Sequence, residues 1–129
     1  LALNDFVKMS FKKQEIVMNS NGKSKRDMIY MQDVANIVSK IVKEKATNEI
    51  YNLSANKTYS MIEIAKKVQK IYHQRYKKNI KIKVNENDSR VSEILSVKNN
   101  KLKSLINFEI NDSLDDEINK IFSLLENSE

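Results

Sequence analysis

The sequence predicts an α+β domain in which about five helices cover a small sheet. Apolar residues recur at helical spacing in five stretches, and short stretches of alternating apolar and polar residues lie between them. At 129 residues, with 40% hydrophobic and 31% charged residues, the chain is large enough for one modest core. We therefore expect residues 1–129 to form a single domain.

The helices are the best-specified elements. Ser60 and Glu63 have the S-x-x-E spacing of a capping box, Ser113 precedes the last apolar stretch, and Asp33 is placed to cap the second helix. The predicted helices cover residues 3–12, 33–42, 60–72, 99–106 and 113–125. The second has a predicted apolar face made of Val34, Ile37, Val38, Ile41 and Val42.

Alternation predicts the strands. They cover residues 15–18, 26–31, 49–53 and 80–84, with a shorter one at 93–97. In the fourth strand, Lys81 and Lys83 are expected to face water. Residues 19–25 form a turn that holds the only glycine. The predicted order of elements is α-β-β-α-β-α-β-β-α-α.

Missing residue types exclude several kinds of site. The chain has no cysteine and a single histidine, His73, so disulfides, thiolate metal sites and multi-histidine metal sites are excluded. One glycine cannot form a glycine-rich phosphate loop or a P-loop. We therefore expect no metal site, no catalytic residue and no cofactor site in this chain.

The net charge of +6 leaves two classes of partner open. The lysines are spread along the chain and predict solvated faces, but a small basic nucleic-acid-binding module is the alternative. Aromatic residues do not interleave with the cations as they do in single-strand binding surfaces, so nucleic acid is not the expected partner.

No apolar run approaches the roughly 20 residues of a membrane span, and the first residues do not resemble a signal peptide. We expect a cytoplasmic protein, and a start at Leu1 suggests a piece of a longer chain.

Two arginines stand out in a lysine-rich sequence. Arg26 opens a predicted strand and Arg90 lies in a predicted loop. Arginine binds phosphate or carboxylate with two parallel hydrogen bonds, which lysine cannot do. The alternative is a pair of ordinary salt bridges, Arg26 with Asp27 or Asp33 and Arg90 with Glu93.

Three collinear motifs resemble a known family. "KRDMIYMQDVANIVSKIV" resembles the R-D-[FYW]-[IV]-[YH]-V-x-D-[VL]-A signature of the extended short-chain dehydrogenase/reductase family, which contains NAD(P)-dependent epimerases, dehydratases and reductases of sugar nucleotides. "NEIYNLSANKTYSMIEIAKKV" is similar to the next family segment, with Ser54 and Asn56 at two glycine positions. "SRVSEILSVKNNKLKSLINFEINDSLDDEI" is similar to the last. In that segment the matching residues are Arg90, Glu93, Lys101, Phe108, Ser113 and Leu114.

The resemblance implies a role in binding substrate. It implies the C-terminal substrate-binding lobe of an extended Rossmann-type enzyme of UDP-glucose 4-epimerase type, with a nucleotide-diphosphate sugar as its partner. Arg26 and Arg90 are expected to hold the pyrophosphate, and Met18 and Asn19 to lie against the base. The tip of Tyr30 is expected to face the same cleft.

The same resemblance places NAD in the parent enzyme and none in this chain, since the N-terminal NAD-binding domain is absent. We therefore expect the chain to be inactive by itself. Without that domain, the strand predicted at 49–53 lacks neighbours, and we expect self-association through its edge or an apolar patch. A non-catalytic interaction domain of the same family is a further alternative.

Overall fold

A computed structural model describes residues 2–45 and 48–128, so the predicted domain bounds, 1 and 129, lie outside the described residues. The fold is α+β, as predicted, with five helices in the described residues and the strands in two small sheets. The elements are α1 (Ala2–Lys13), β1 (Glu15–Val17), β2 (Lys25–Asp27), α2 (Met31–Ile41), β3 (Thr58–Ser60), α3 (Met61–Tyr76), β4 (Lys81–Lys83), β5 (Ile94–Leu95), α4 (Asn100–Leu105) and α5 (Leu114–Glu126).

Both sheets contain a parallel pair that joins distant parts of the sequence. β1 pairs with β4 in parallel, and β2 pairs in parallel with β5. β3 completes the second sheet on the other side of β2, where it runs antiparallel. Each parallel pair requires a long crossover, which the helices between the strands provide.

The main core lies where α1, α3 and α5 pack together beside β1. Its fully buried side chains include Val7, Ile16, Ile64, Val68, Ile118 and Phe122. A smaller core joins α2 to α4 through Ile37, Leu102, Ile106 and Phe108. The apolar periodicity of α1, α3 and α5 therefore predicted the faces that are buried.

Both capping boxes are present. The Ser60 hydroxyl accepts from the Glu63 backbone N–H, and the Glu63 carboxylate accepts from the Ser60 N–H. Ser113 and Asp116 repeat the arrangement at α5. These bonds satisfy backbone donors that a helix N-terminus leaves unpaired.

The prediction that Asp33 caps α2 is wrong. The strand predicted at 26–31 ends at Asp27, and the first helical bond runs from the Val34 N–H to the Tyr30 carbonyl at 2.9 Å. Tyr30 is therefore the N-cap, without a side-chain cap bond. Asp33 is the third residue of the helix, in its first turn, where its buried carboxylate accepts from backbone N–H groups of a distant segment.

The prediction of a strand at 49–53 is also wrong, because these residues form no strand and no described strand pairs with them. The third strand is instead β3, in a stretch predicted as loop, where it pairs with β2. The exposed fraction of Ile50 is 88%. Val38 and Val42, on the predicted apolar face of α2, are exposed as well.

Among the described residues, none of the helices combines the length and the apolar character that crossing a membrane requires.

Candidate functional site

Two chain segments run side by side between the two sheets. The first connection (18–24) leads from β1 to β2, and the second connection (84–93) leads from β4 to β5. Because β1 pairs with β4 and β2 with β5, both connections begin and end together. At their start the Met18 N–H donates to the Lys83 carbonyl at 2.8 Å. Four of the five predicted substrate-binding residues lie on these connections or directly after them.

Arg90 is held on the second connection by an acid that the sequence analysis missed. Its Nε lies 2.6 Å from Asp88 Oδ1 and its Nη2 lies 2.9 Å from Asp88 Oδ2. Nη2 also donates to the Asn19 carbonyl on the first connection at 3.4 Å. The salt bridge expected between Arg90 and Glu93 is therefore replaced by one with Asp88, two residues before the arginine.

Arg26 forms the ion pair at the other end of the connections. Its Nη2 lies 2.9 Å from Glu93 Oε2, and the Lys25 N–H donates to the Glu93 carbonyl at 2.8 Å. The pairs expected with Asp27 or Asp33 do not form, because both of those carboxylates bind backbone N–H groups elsewhere. Both arginines thus carry salt bridges, as the alternative prediction held, but with different acids.

Asp27 connects β2 to the segment that precedes β3. Its Oδ1 accepts from the Ala55 N–H at 3.0 Å and its Oδ2 lies 3.4 Å from the Ser54 hydroxyl. The Ser54 carbonyl in turn accepts from buried Asn99 at 2.8 Å. Asp27 therefore orients the backbone at Ala55, whereas the guanidinium of Arg26 pairs with Glu93.

Met18, Asn19 and Gly22 define the shape of the first connection. Met18 is buried and packs in the main core, whereas Asn19 is exposed beside Arg90. Gly22 has φ +74°, and a Cβ at this position would lie 3.2 Å from Ile62 Cβ. Only glycine adopts this turn without strain, which keeps the connection against the start of α3.

Arg26 and Tyr30 line one cavity of about 660 Å³ between β2, α1 and α5. Its remaining walls are largely apolar and include Leu3, Met28, Met61 and Ile121. Tyr30 is buried, and its hydroxyl has no hydrogen-bond partner among the described residues. Burial, reinforced by nearby acidic groups, raises the pKa of Tyr30, so the hydroxyl stays protonated, and its oxygen is enclosed by protein atoms.

No group of three or more histidine, cysteine, aspartate or glutamate side chains in the described part of the chain could hold a metal ion.

Comparison with known proteins relates this fold to one family. The model of the NAD dependent epimerase/dehydratase family matches residues 3–54, the part that contains Arg26 and Tyr30. No curated protein sequence matches the chain.

Solved structures match over nearly the whole chain. UDP-glucuronic acid 4-epimerase from Bacillus cereus, in complex with UDP-glucuronic acid and NAD, superposes with a TM-score of 0.79 at 13% identity, covering 100% of this chain and 40% of that one. UDP-N-acetylglucosamine 4-epimerase from Bacillus cereus gives 0.77 at 17% identity, covering 98% and 40%. dTDP-glucose 4,6-dehydratase from Bacillus anthracis gives 0.78 at 13% identity, covering 100% and 40%.

The chain therefore spans about 40% of the length of these solved structures. At 13–17% identity their TM-scores show a shared fold and nothing more. Over residues 3–54, which include the first of the three motifs, the chain is related in sequence to the NAD dependent epimerase/dehydratase family, and over nearly its whole length it shares the fold of these solved epimerases and dehydratase.

Proposed function

We propose that this chain binds a nucleotide-diphosphate sugar and is the C-terminal, substrate-binding portion of an NAD-dependent sugar-nucleotide epimerase or dehydratase. The observation that carries the proposal is the placement of Arg26 directly beyond the first connection and Arg90 on the second, three residues before Glu93, the acid that pairs with Arg26. Two guanidinium groups that can each donate charged hydrogen bonds suit the two phosphates of a diphosphate. The UDP-glucuronic acid complex of a protein with the same fold supports this ligand class.

The ion pairs of the two arginines are compatible with a ligand. The exposed fraction of the Glu93 side chain is 76%, so its pair with Arg26 lies in solvent, where ion pairs contribute about 0–1 kcal/mol. A phosphate oxygen can therefore replace the Glu93 carboxylate at little cost. Arg90 is 72% exposed and keeps Nη1 available beyond its contacts with Asp88 and Asn19.

The cavity beside Arg26 offers room for the sugar. Its walls are largely apolar, with the Arg26 guanidinium at one side, which is the character of many small-molecule sites. On the other side, exposed Asn19 at the start of the first connection lies where the base is proposed to rest, with Met18 buried behind it in the main core. The diphosphate would then span the region between the base and the sugar.

The residues of this chain do not fit NAD. Dinucleotide binding requires a glycine-rich turn that opens a helix, and Gly22 instead occupies the turn between two strands. The sequence also contains no Tyr-x-x-x-Lys motif. We therefore propose that NAD and the catalytic groups belong to a separate, N-terminal domain of the parent enzyme and that the chain alone is inactive. Turnover by the isolated chain in a hydride-transfer assay would contradict this.

An apolar surface on α2 is proposed to contact that NAD-binding domain. Val38 and Val42 are one helical turn apart and exposed, and Ile50 in the 49–53 segment is exposed too. About 60% of each related structure lies outside the part this chain matches, which leaves ample protein to cover the surface. Alone, the chain is expected to self-associate there. Sedimentation should show concentration-dependent association that Val42→Glu weakens, and a strict monomer at high concentration would refute it.

Binding of nucleic acid is disfavoured by the arrangement of the cations. Ion pairs engage Lys67 on α3, Lys83 on β4, Lys101 on α4 and Lys120 on α5, so these charges are distributed over four elements and locally neutralised. Electrostatic binding to a phosphate backbone requires several free cations on one face. The interaction-domain alternative differs from the proposal in predicting no affinity for nucleotides.

Calorimetric titration of the 129-residue chain with UDP, UDP-glucose and uridine tests the function. UDP is expected to bind and uridine to bind much more weakly. Removing one charged hydrogen-bond donor costs about 1.5–3 kcal/mol, so Arg26→Ala and Arg90→Ala should each weaken UDP binding by roughly 10- to 100-fold. Lys78→Ala removes one exposed charge elsewhere and serves as the control. Equal affinity for UDP in the arginine variants, or no binding of UDP and of the guanosine and thymidine diphosphates, would refute the proposal.

A further inference from the structure

Asp88 is the most buried acid of the two connections, although it lies in an exposed loop. The exposed fraction of its side chain is 7%, against 72% for Arg90. Its Oδ2 accepts from the backbone N–H of Asn21 at 3.1 Å, in addition to Nη2 of Arg90 at 2.9 Å. Its Oδ1 accepts from the backbone N–H and from Nε of Arg90, at 3.2 and 2.6 Å.

These bonds join the two connections into one unit. The Asp88 carbonyl accepts from Asn21 Nδ2 at 2.9 Å, so the main chain and the side chain of Asp88 both bind Asn21. Arg90, which this carboxylate binds, also donates to the Asn19 carbonyl. A loop held at both backbone and side chain cannot move its arginine independently of the turn that faces it.

The contacts also determine which edge of Arg90 is available. Asp88 and the Asn19 carbonyl use the Nε–H and both hydrogens of Nη2. Nη1 retains two N–H groups beyond these contacts, and the Arg90 side chain as a whole is 72% exposed. The arginine is therefore presented to a ligand in one orientation.

We propose that Asp88 is a positioning residue that fixes Arg90 against the Asn19–Asn21 turn, with Nη1 directed toward the phosphates of a nucleoside diphosphate. This inference rests on the proposed function and adds a residue that the family motifs do not contain. An exposed arginine loses conformational entropy when it binds a ligand. Because Asp88 already holds Arg90 in place, that cost is smaller and the complex is stronger.

The direction in which the affinity for UDP changes when the Asp88 charge is removed distinguishes positioning from simple electrostatics. Asp88 carries a negative charge close to where the diphosphate binds. If only charge mattered, removing it would tighten binding of an anion. Positioning predicts the opposite, because a released Arg90 must be ordered again by each ligand.

A double-mutant cycle measured by calorimetry with UDP tests the proposal. Asp88→Asn is expected to weaken UDP binding about tenfold in the wild-type chain and less than about twofold in the Arg90→Ala background, because its effect acts through Arg90. Glu86→Gln removes an exposed negative charge from the same connection and is the control. A role limited to folding predicts the same loss in both backgrounds.

The outcomes distinguish this proposal from the proposed function. If the wild-type chain binds none of the nucleoside diphosphates, the proposed function fails, and the inference with it. If Arg90→Ala weakens UDP binding but Asp88→Asn leaves it unchanged or tightens it, only the inference fails. It fails equally if the two substitutions act independently.

A second measurement needs no variant and covers the case in which Asp88→Asn does not fold. The Nε–H of Arg90 is expected to give a nitrogen-15 resonance protected from exchange with water, and to remain protected when UDP is added. Exchange as fast as in an unfolded peptide would show that Asp88 does not hold Arg90 in solution and would overturn the proposal.

Discussion

Replacing Asp33 with alanine tests how α2 is attached to the segment that leads into α5. Asp33 Oδ1 accepts from the Asn111 backbone N–H and Oδ2 from the Asp112 N–H, both at 3.0 Å. The acid is 1% exposed and lies in the first turn of α2, almost eighty residues from its partners. The substitution removes both acceptors and leaves two backbone donors without them.

The magnitude follows from the number and type of these bonds. A hydrogen bond to a charged group contributes about 1.5–3 kcal/mol, and the low end applies where water can replace the partner. Asn111 is exposed, so its N–H regains water when Asp33 is removed. We therefore expect Asp33→Ala to lower the free energy of unfolding by about 3 kcal/mol. Asp33→Asn keeps one acceptor and places a donor against the other N–H, so a loss of about 2 kcal/mol is expected.

Urea denaturation followed by circular dichroism measures these changes, with the midpoint shift converted through an unchanged slope. Gln32→Ala is the matched control, because Gln32 is exposed in the same helical turn and its side chain forms an exposed hydrogen bond with Asn36. That variant should stay within about 0.5 kcal/mol of wild type. If Asp33→Ala destabilises the chain no more than Gln32→Ala does, the two hydrogen bonds do not anchor α2.

Three further predictions follow from local geometry. Ser60→Ala removes the acceptor for the Glu63 N–H and should cost about 1 kcal/mol in urea denaturation; an unchanged midpoint would show that the capping box is dispensable. Gly22→Ala places a Cβ at φ +74°, 3.2 Å from Ile62 Cβ, and should lower the free energy of unfolding by more than about 1 kcal/mol, whereas a stabilised variant would contradict the strain. Hydrogen bonds from Arg90 lower the pKa of Asp88 from 3.8 to about 2. The contribution of the ionised Asp88 to stability is therefore complete above the unfolded pKa and is lost as the pH falls from about 4 to 2. The pH dependence of unfolding should therefore be shallower in Asp88→Asn within that window, and identical acid limbs would argue against the pair.

The candidate site was predicted only in part from the sequence. Arg26 and Arg90 stood out because arginine is rare in this chain, and the structure does bring their segments together. Their acid partners were assigned wrongly, since Glu93 pairs with Arg26 and Asp88 with Arg90. The only sequence signal for Asp88 was an acid two residues before an arginine in a polar loop, and such spacing occurs often by chance.

The sequence by itself determined what depends on neighbouring residues. Helical periodicity predicted α1, α3 and α5, and the Ser60 and Ser113 caps were placed correctly, because capping and amphipathic spacing act within one or two turns. Tertiary structure decided what depends on distant partners. The 49–53 segment has strand-like residues but no described strand beside it, and β3 forms where β2 offers unpaired backbone groups. Asp33 looked like a cap because a buried acid and a capping acid occupy similar positions in sequence, and only the approach of the Asn111 and Asp112 N–H groups distinguishes them.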